Sequence, residues 1–132
     1  MRTFSEYYET QIQPQIAAID IYLKTEDPPY AVESVCELLQ ISEEEGMAFL
    51  RKEKLALITK GVFFRMLESG SAPLCGMFRR ALSCNLPEQY SIEQAAYIFG
   101  LDYAAVEAAA KKMGTGIFTE KMLPQLFKNI ML

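Results

Sequence analysis

The feature that most constrains this chain is a gapless self-similarity at a shift of 60 residues. Laid over residues 90–128, residues 30–68 need no insertion or deletion. Identity is sparse, confined to Tyr30/Tyr90, Glu33/Glu93, Ala48/Ala108, Lys52/Lys112 and Thr59/Thr119. Chemical class agrees far more widely. Val32/Ile92, Leu38/Ile98, Leu39/Phe99, Ile41/Leu101, Leu57/Ile117, Ile58/Phe118 and Met66/Leu126 are apolar in both segments, and Arg51/Lys111 are basic in both. Self-similarity at a fixed period is the mark of a supersecondary unit used more than once. The expectation is an internal duplication, with two similar units in one compact domain of 132 residues.

Each segment reads alike. A helix is expected after Tyr30 and after Tyr90, with Glu33 or Glu93 in its first turn, where a carboxylate suits the positive end of the helix dipole. It ends near Gln40 or Gly100. Ser42 or Asp102 then caps a second helix, and Ser42 with Glu45 three residues on has the form of a capping box. That helix runs to about Lys54 or Met113. Two short strand-like stretches follow, Leu55-Ala56-Leu57-Ile58 and Thr115-Gly116-Ile117-Phe118, and Thr59 or Thr119 caps a last helix, 62–68 or 122–130. The first segment carries an extra helix over 72–84, between Ser69-Gly70-Ser71 and Asn85-Leu86-Pro87.

Ahead of both segments, Phe4, Tyr8, Ile12, Ile16, Ile19 and Leu23 recur in steps of three or four and predict one long amphipathic helix, kinked or restarted at Pro14. Asp27-Pro28-Pro29 ends it. The expected organisation is an N-terminal helix and linker over 1–29, a first unit over 30–89 and a second over 90–132. The expected fold class is all-α, with the two strand-like stretches as its only extended backbone. The N-terminal stripe must be buried, on its own domain or in a homodimer.

Composition removes several chemistries. The chain has no histidine, and so lacks the commonest general base and the commonest metal ligand. Its three cysteines, Cys36, Cys75 and Cys84, contain no C-x-x-C pair and fall largely in apolar register, so reduced, buried thiols are expected. Glu43-Glu44-Glu45 does not make a metal or acid–base site, because consecutive helical side chains diverge by about 100° each. Gly114-Thr115-Gly116 is too short for a phosphate loop. No cofactor, metal or catalytic residue is expected, and the chain reads as a non-enzyme. No apolar run approaches the roughly 20 residues a bilayer requires, and the opening Met1-Arg2-Thr3-Phe4-Ser5-Glu6 lacks the apolar stretch of a signal peptide. A cytoplasmic location is the corresponding expectation.

The run Tyr90-Ser91-Ile92-Glu93-Gln94-Ala95-Ala96, followed by Phe99, Gly100, Leu101, Val106 and Ala109, carries a resemblance. It resembles the helix–turn–helix of bacterial DNA-binding regulators, especially the short units of the excisionase and MerR-type families. In the first segment Cys36, Leu39, Ile41 and Phe49 fit the same pattern, while Gln40 stands for the turn glycine and Gly46 for an apolar packing residue. The resemblance implies a regulatory protein associated with double-stranded DNA.

In that family the start of the second helix faces the major groove and reads bases with Arg, Lys, Asn or Gln. Here those positions hold Glu43, Glu44, Glu45 and Met47, or Tyr103, Ala104, Ala105 and Glu107. Basic residues cluster instead at the ends of the second helices and beyond: Arg51, Lys52, Lys54, Lys60, Arg65, Arg79 and Arg80, then Lys111, Lys112, Lys121 and Lys128. Two readings stay open. In one, Arg51, Lys52, Lys54, Lys60, Lys111 and Lys112 hold DNA by its phosphates. In the other, the units have become a protein–protein interaction adaptor.

Overall fold

A computed structural model describes residues 2–132. The chain is all-α apart from one two-stranded sheet, and it divides into two compact units, residues 13–79 and residues 1–12 with 80–132. The expected boundaries at 29/30 and 89/90 therefore each fall inside a unit.

The chain enters through α1 (Phe4–Tyr7), a π-helical turn (Tyr8–Ile12) and α2 (Gln13–Thr25). The wide turn ends at Ile12, two residues before Pro14, which has no N–H to give the carbonyl four residues back and is tolerated only in a first helical turn. A π turn has a longer period than an α turn, so it also keeps Phe4, Tyr8 and Ile12, spaced by fours, near one face. Phe4 and Ile12 are buried, and Tyr8 is half-buried. Beyond Ile12 the inward face falls between residues 15 and 16. Gln15 goes in, at 6% exposure, and its amide donates to the Leu38 carbonyl at 3.0 Å. Ile16, expected in the stripe, stays 42% exposed. Ile19 is buried and Leu23 half-buried.

In the 13–79 unit, α3 (Val32–Leu39) and α4 (Glu43–Lys52) form a helix pair, followed by α5 (Lys60–Ser69) and α6 (Pro73–Ser83), whose residues from Arg80 on belong to the other unit. The core is made by Val35, Cys36 and Leu39 on α3, Leu50 on α4, Phe63 and Met66 on α5, and Leu74 and Cys75 on α6. Tyr30 and Ile58 make an isolated antiparallel bridge.

In the other unit the pair is α7 (Ile92–Phe99) and α8 (Tyr103–Met113). The sheet joins β1 (Gln89–Ser91) to β2 (Ile117–Thr119), with Tyr90 opposite Phe118. A 3-10 turn (Glu120–Met122) leads to α9 (Leu123–Lys128). The start of the chain closes this unit. Thr3 pairs with Met131, and the Phe4 ring meets the Phe127 ring edge-on at 4.7 Å between centroids.

Elements recur at a spacing of 60: α3 and α7 start at 32 and 92, α4 and α8 at 43 and 103. The bridge between Tyr30 and Ile58 and the pairing of Tyr90 with Phe118 are equivalent. The third helices differ. Pro124 must sit in a first helical turn, so α9 begins at Leu123, whereas α5 begins directly after its Thr59 cap. The strand-like expectation holds for residues 117–119, while in the first segment it shrinks to the single bridge at Ile58.

Candidate interaction site

The two helix pairs share one turn geometry. The residue after the first helix is left-handed in both, Gln40 at φ 56° and Gly100 at φ 66°. The next amide reaches back to close the helix end, from Ile41 to the Cys36 carbonyl at 3.0 Å and from Leu101 to the Ala96 carbonyl at 2.8 Å. Ser42 and Asp102 cap the second helices, accepting from the amides of Glu45 and Ala105. The complete capping box lies elsewhere, between Ser91 and Gln94 at the start of α7. The Glu45 carboxylate instead accepts from the amide and hydroxyl of Ser71.

At the start of α4, where a helix–turn–helix would read bases, Glu43 and Glu44 are exposed and Met47 is 40% exposed. At the start of α8, Tyr103 is 47% exposed, Ala104 is exposed and Glu107 is half-buried.

All six cations singled out from the sequence, Arg51, Lys52, Lys54, Lys60, Lys111 and Lys112, are exposed. None forms an ion pair among the described residues. They do not form one cluster. Arg51 and Lys54 come together on one groove of the 13–79 unit, with Tyr30, Val32, Met47, Leu50, Leu55, Ala56, Leu57 and Ile58, around a space of about 550 Å³. Lys52 lines a separate hollow with Ile41, Glu45 and Phe49, and Lys60 starts α5.

Three further basic residues have structural partners. Arg65 pairs with Glu53 and lies over the Phe49 ring. Arg79 donates to the carbonyls of Glu68 and Gly70. Arg80 donates to the Ile98 carbonyl at 3.1 Å.

The other unit has a groove of about 400 Å³ lined by Ile92, Glu107, Ala110, Lys111, Gly114, Thr115 and Gly116. Subtracting 60 gives Val32, Met47, Leu50, Arg51, Lys54, Leu55 and Ala56, every one of which lines the first groove. Sequence reading picked out the cations but missed the groove. Its signal was present in the paired extended stretches that follow each second helix. The two grooves differ in content: the first is apolar with two cations, while the second is smaller and is lined by both Glu107 and Lys111.

Burial, with the carboxylates of Glu43 and Glu45, pushes the Cys36 thiol above its ordinary value. Burial does the same to Cys75, Tyr8 and Tyr90. A raised thiol pKa means little thiolate at neutral pH, so neither buried cysteine is set up as a nucleophile. Among the described residues, no three His, Cys, Asp or Glu side chains converge as a metal site, and no helix is long and apolar enough to cross a membrane. Compared with protein-family models, curated proteins and solved structures, the chain matches none of them.

Proposed function

We propose that this chain is a non-enzymatic interaction protein in which the helix–turn–helix-like pair serves to bind a segment of another protein. The observation that carries this reading is the recurrence of one groove, at seven equivalent positions, in both units. The helix ends where bases would be read argue in the same direction. Glu43 and Glu44 stand free at the start of α4, and phosphate attraction, which supplies most of a DNA-binding module's affinity, works against them.

A regulatory protein associated with double-stranded DNA is the second reading. It is favoured by the six exposed cations, none of them paired among the described residues. A mobility-shift titration of the full chain against random duplex DNA at two salt concentrations separates the two. The interaction reading expects no shift even at about 50 mM salt. A shift that falls steeply with salt, and is lost when Arg51, Lys52, Lys111 and Lys112 are all reversed to Glu, establishes the DNA reading in its place. Phosphate contacts carry no sequence information, so that loss would be equal on every duplex.

A further inference from the structure

We propose that the groove of the 13–79 unit binds an acidic, apolar peptide segment, its apolar side chains against Met47 and Leu57 and its carboxylates on Arg51 and Lys54. This deepens the interaction reading and rests on it.

Three observations specify the occupant. First, the groove wall is mostly apolar, and two of its side chains remain far from covered, Met47 at 40% and Leu57 at 59% exposure. A partner that buries them gains the usual free energy of apolar burial. Second, its only charged residues are Arg51 and Lys54, with no carboxylate on its wall. Both cations are exposed and unpaired among the described residues, in a chain of net charge −4. Complementary charge around an apolar groove selects the partner and its orientation more than it adds affinity. Third, Lys54 is held at φ 56°, a left-handed conformation that favours glycine. The equivalent position in the other unit is Gly114, at φ 71°. The turn closes the end of α4, with the Leu55 amide reaching back to the Leu50 carbonyl at 2.9 Å, and it puts a cation on the groove where the other unit has no side chain. The second groove differs at these points, having Glu107 for Met47, Gly114 for Lys54 and Gly116 for Ala56.

Random 12-residue peptides displayed on phage and panned on the immobilised full chain test the proposal, with one selected peptide then synthesised and measured by fluorescence anisotropy. The expected selection is peptides that combine acidic and large apolar residues. Reversing both Arg51 and Lys54 to Glu should weaken the synthetic peptide tenfold or more. Lys54→Gly, which suits the left-handed backbone and so folds, should weaken it severalfold. Lys121→Glu, an exposed cation on neither groove, should leave it unchanged. Selected peptides that are basic or uncharged, yet compete at Met47, overturn the acidic occupant and leave the interaction reading standing. A chain that retains no peptide overturns both. Concentration-dependent self-association abolished by the double reversal makes the occupant a second copy of this chain and overturns the peptide partner.

Discussion

At the crossing of α3 and α4, a glycine is buried where the second segment has a valine. A Cβ added at Gly46 would run into the Cys36 sulfur. In the other pair the equivalent residues are Ala96 and Val106, so the small residue sits on the opposite helix. The first pair combines a larger residue on its first helix with none on its second, and the second pair reverses the order. Gly46→Val should therefore destabilise by about 2 kcal/mol, the usual cost of overpacking, and adding Cys36→Ala should recover most of the loss. Urea denaturation of the two single variants and the double variant measures the coupling. Strictly additive losses would show that the two residues do not share space. The turn residue gives a second test. Gln40 adopts the conformation that Gly100 adopts without a Cβ. Gln40→Gly should change stability little or raise it by up to about 1 kcal/mol, in contrast to the loss expected of glycine elsewhere on a helix. A loss above about 1 kcal/mol in the same urea experiment would contradict this. Sequence reading marked Gln40 and Gly46 as departures from the helix–turn–helix pattern. The departures concern side-chain volume and backbone strain, which a pattern of residue classes does not encode.

Among the elements, the helix pairs were legible because caps, apolar spacing and turn position are local properties. Both pairs appear where Ser42, Asp102 and the positions of Gln40 and Gly100 placed them. The N-terminal helix was half legible. Its apolar stripe was read at a uniform helical period, but the π turn before Pro14 changes that period, and Gln15 takes the inward place assigned to Ile16. Gln15 satisfies the Leu38 carbonyl near the end of α3, where helical carbonyls lack partners along the helix. Gln15→Leu would complete an apolar stripe and still lower stability by about 1–3 kcal/mol, because it leaves that carbonyl unsatisfied. Thermal and urea melts of this variant check the direction, and a more stable variant would refute it. The third helix of the second segment was read as 122–130 and runs Leu123–Lys128, with Pro124 in its first turn; the 3-10 turn Glu120–Met122 stands between it and Thr119, whose side chain does not make the expected cap bond.

For the whole molecule, the starts of the two helix pairs were legible at a spacing of 60, whereas the division into units was not. Residues 1–12 are close in sequence to the first segment but pack with the last one, through long-range contacts such as Phe4 on Phe127 that carry no local signal. The cations of the candidate site were legible as residue types. The placing of Arg51 and Lys54 on one groove, Lys52 in a separate hollow and Lys111 on the second groove depended on the fold. Global stability should also have a definite alkaline dependence. Folding raises the pKa of Cys36, Cys75, Tyr8 and Tyr90, chiefly by burial. The unfolded chain then loses those protons first, so the stability they contribute is complete below the ordinary thiol value and is lost as pH rises through the folded ones. Urea midpoints should be flat between about pH 7 and 8 and fall above about 8.5. A midpoint that rises in that range would contradict the direction of these shifts.

The central claim is that the groove of the 13–79 unit meets a protein segment, and that the exposed cations do not meet DNA. Amide chemical-shift mapping on the full chain tests it directly, with an acidic, apolar 12-residue peptide in one titration and random duplex DNA at low salt in the other. The account predicts that the peptide moves the amides of Val32, Met47, Leu55 and Leu57, and that DNA leaves Arg51, Lys52, Lys111 and Lys112 where they were. Shifts at those four cations with DNA, and none in the groove with peptide, would contradict it.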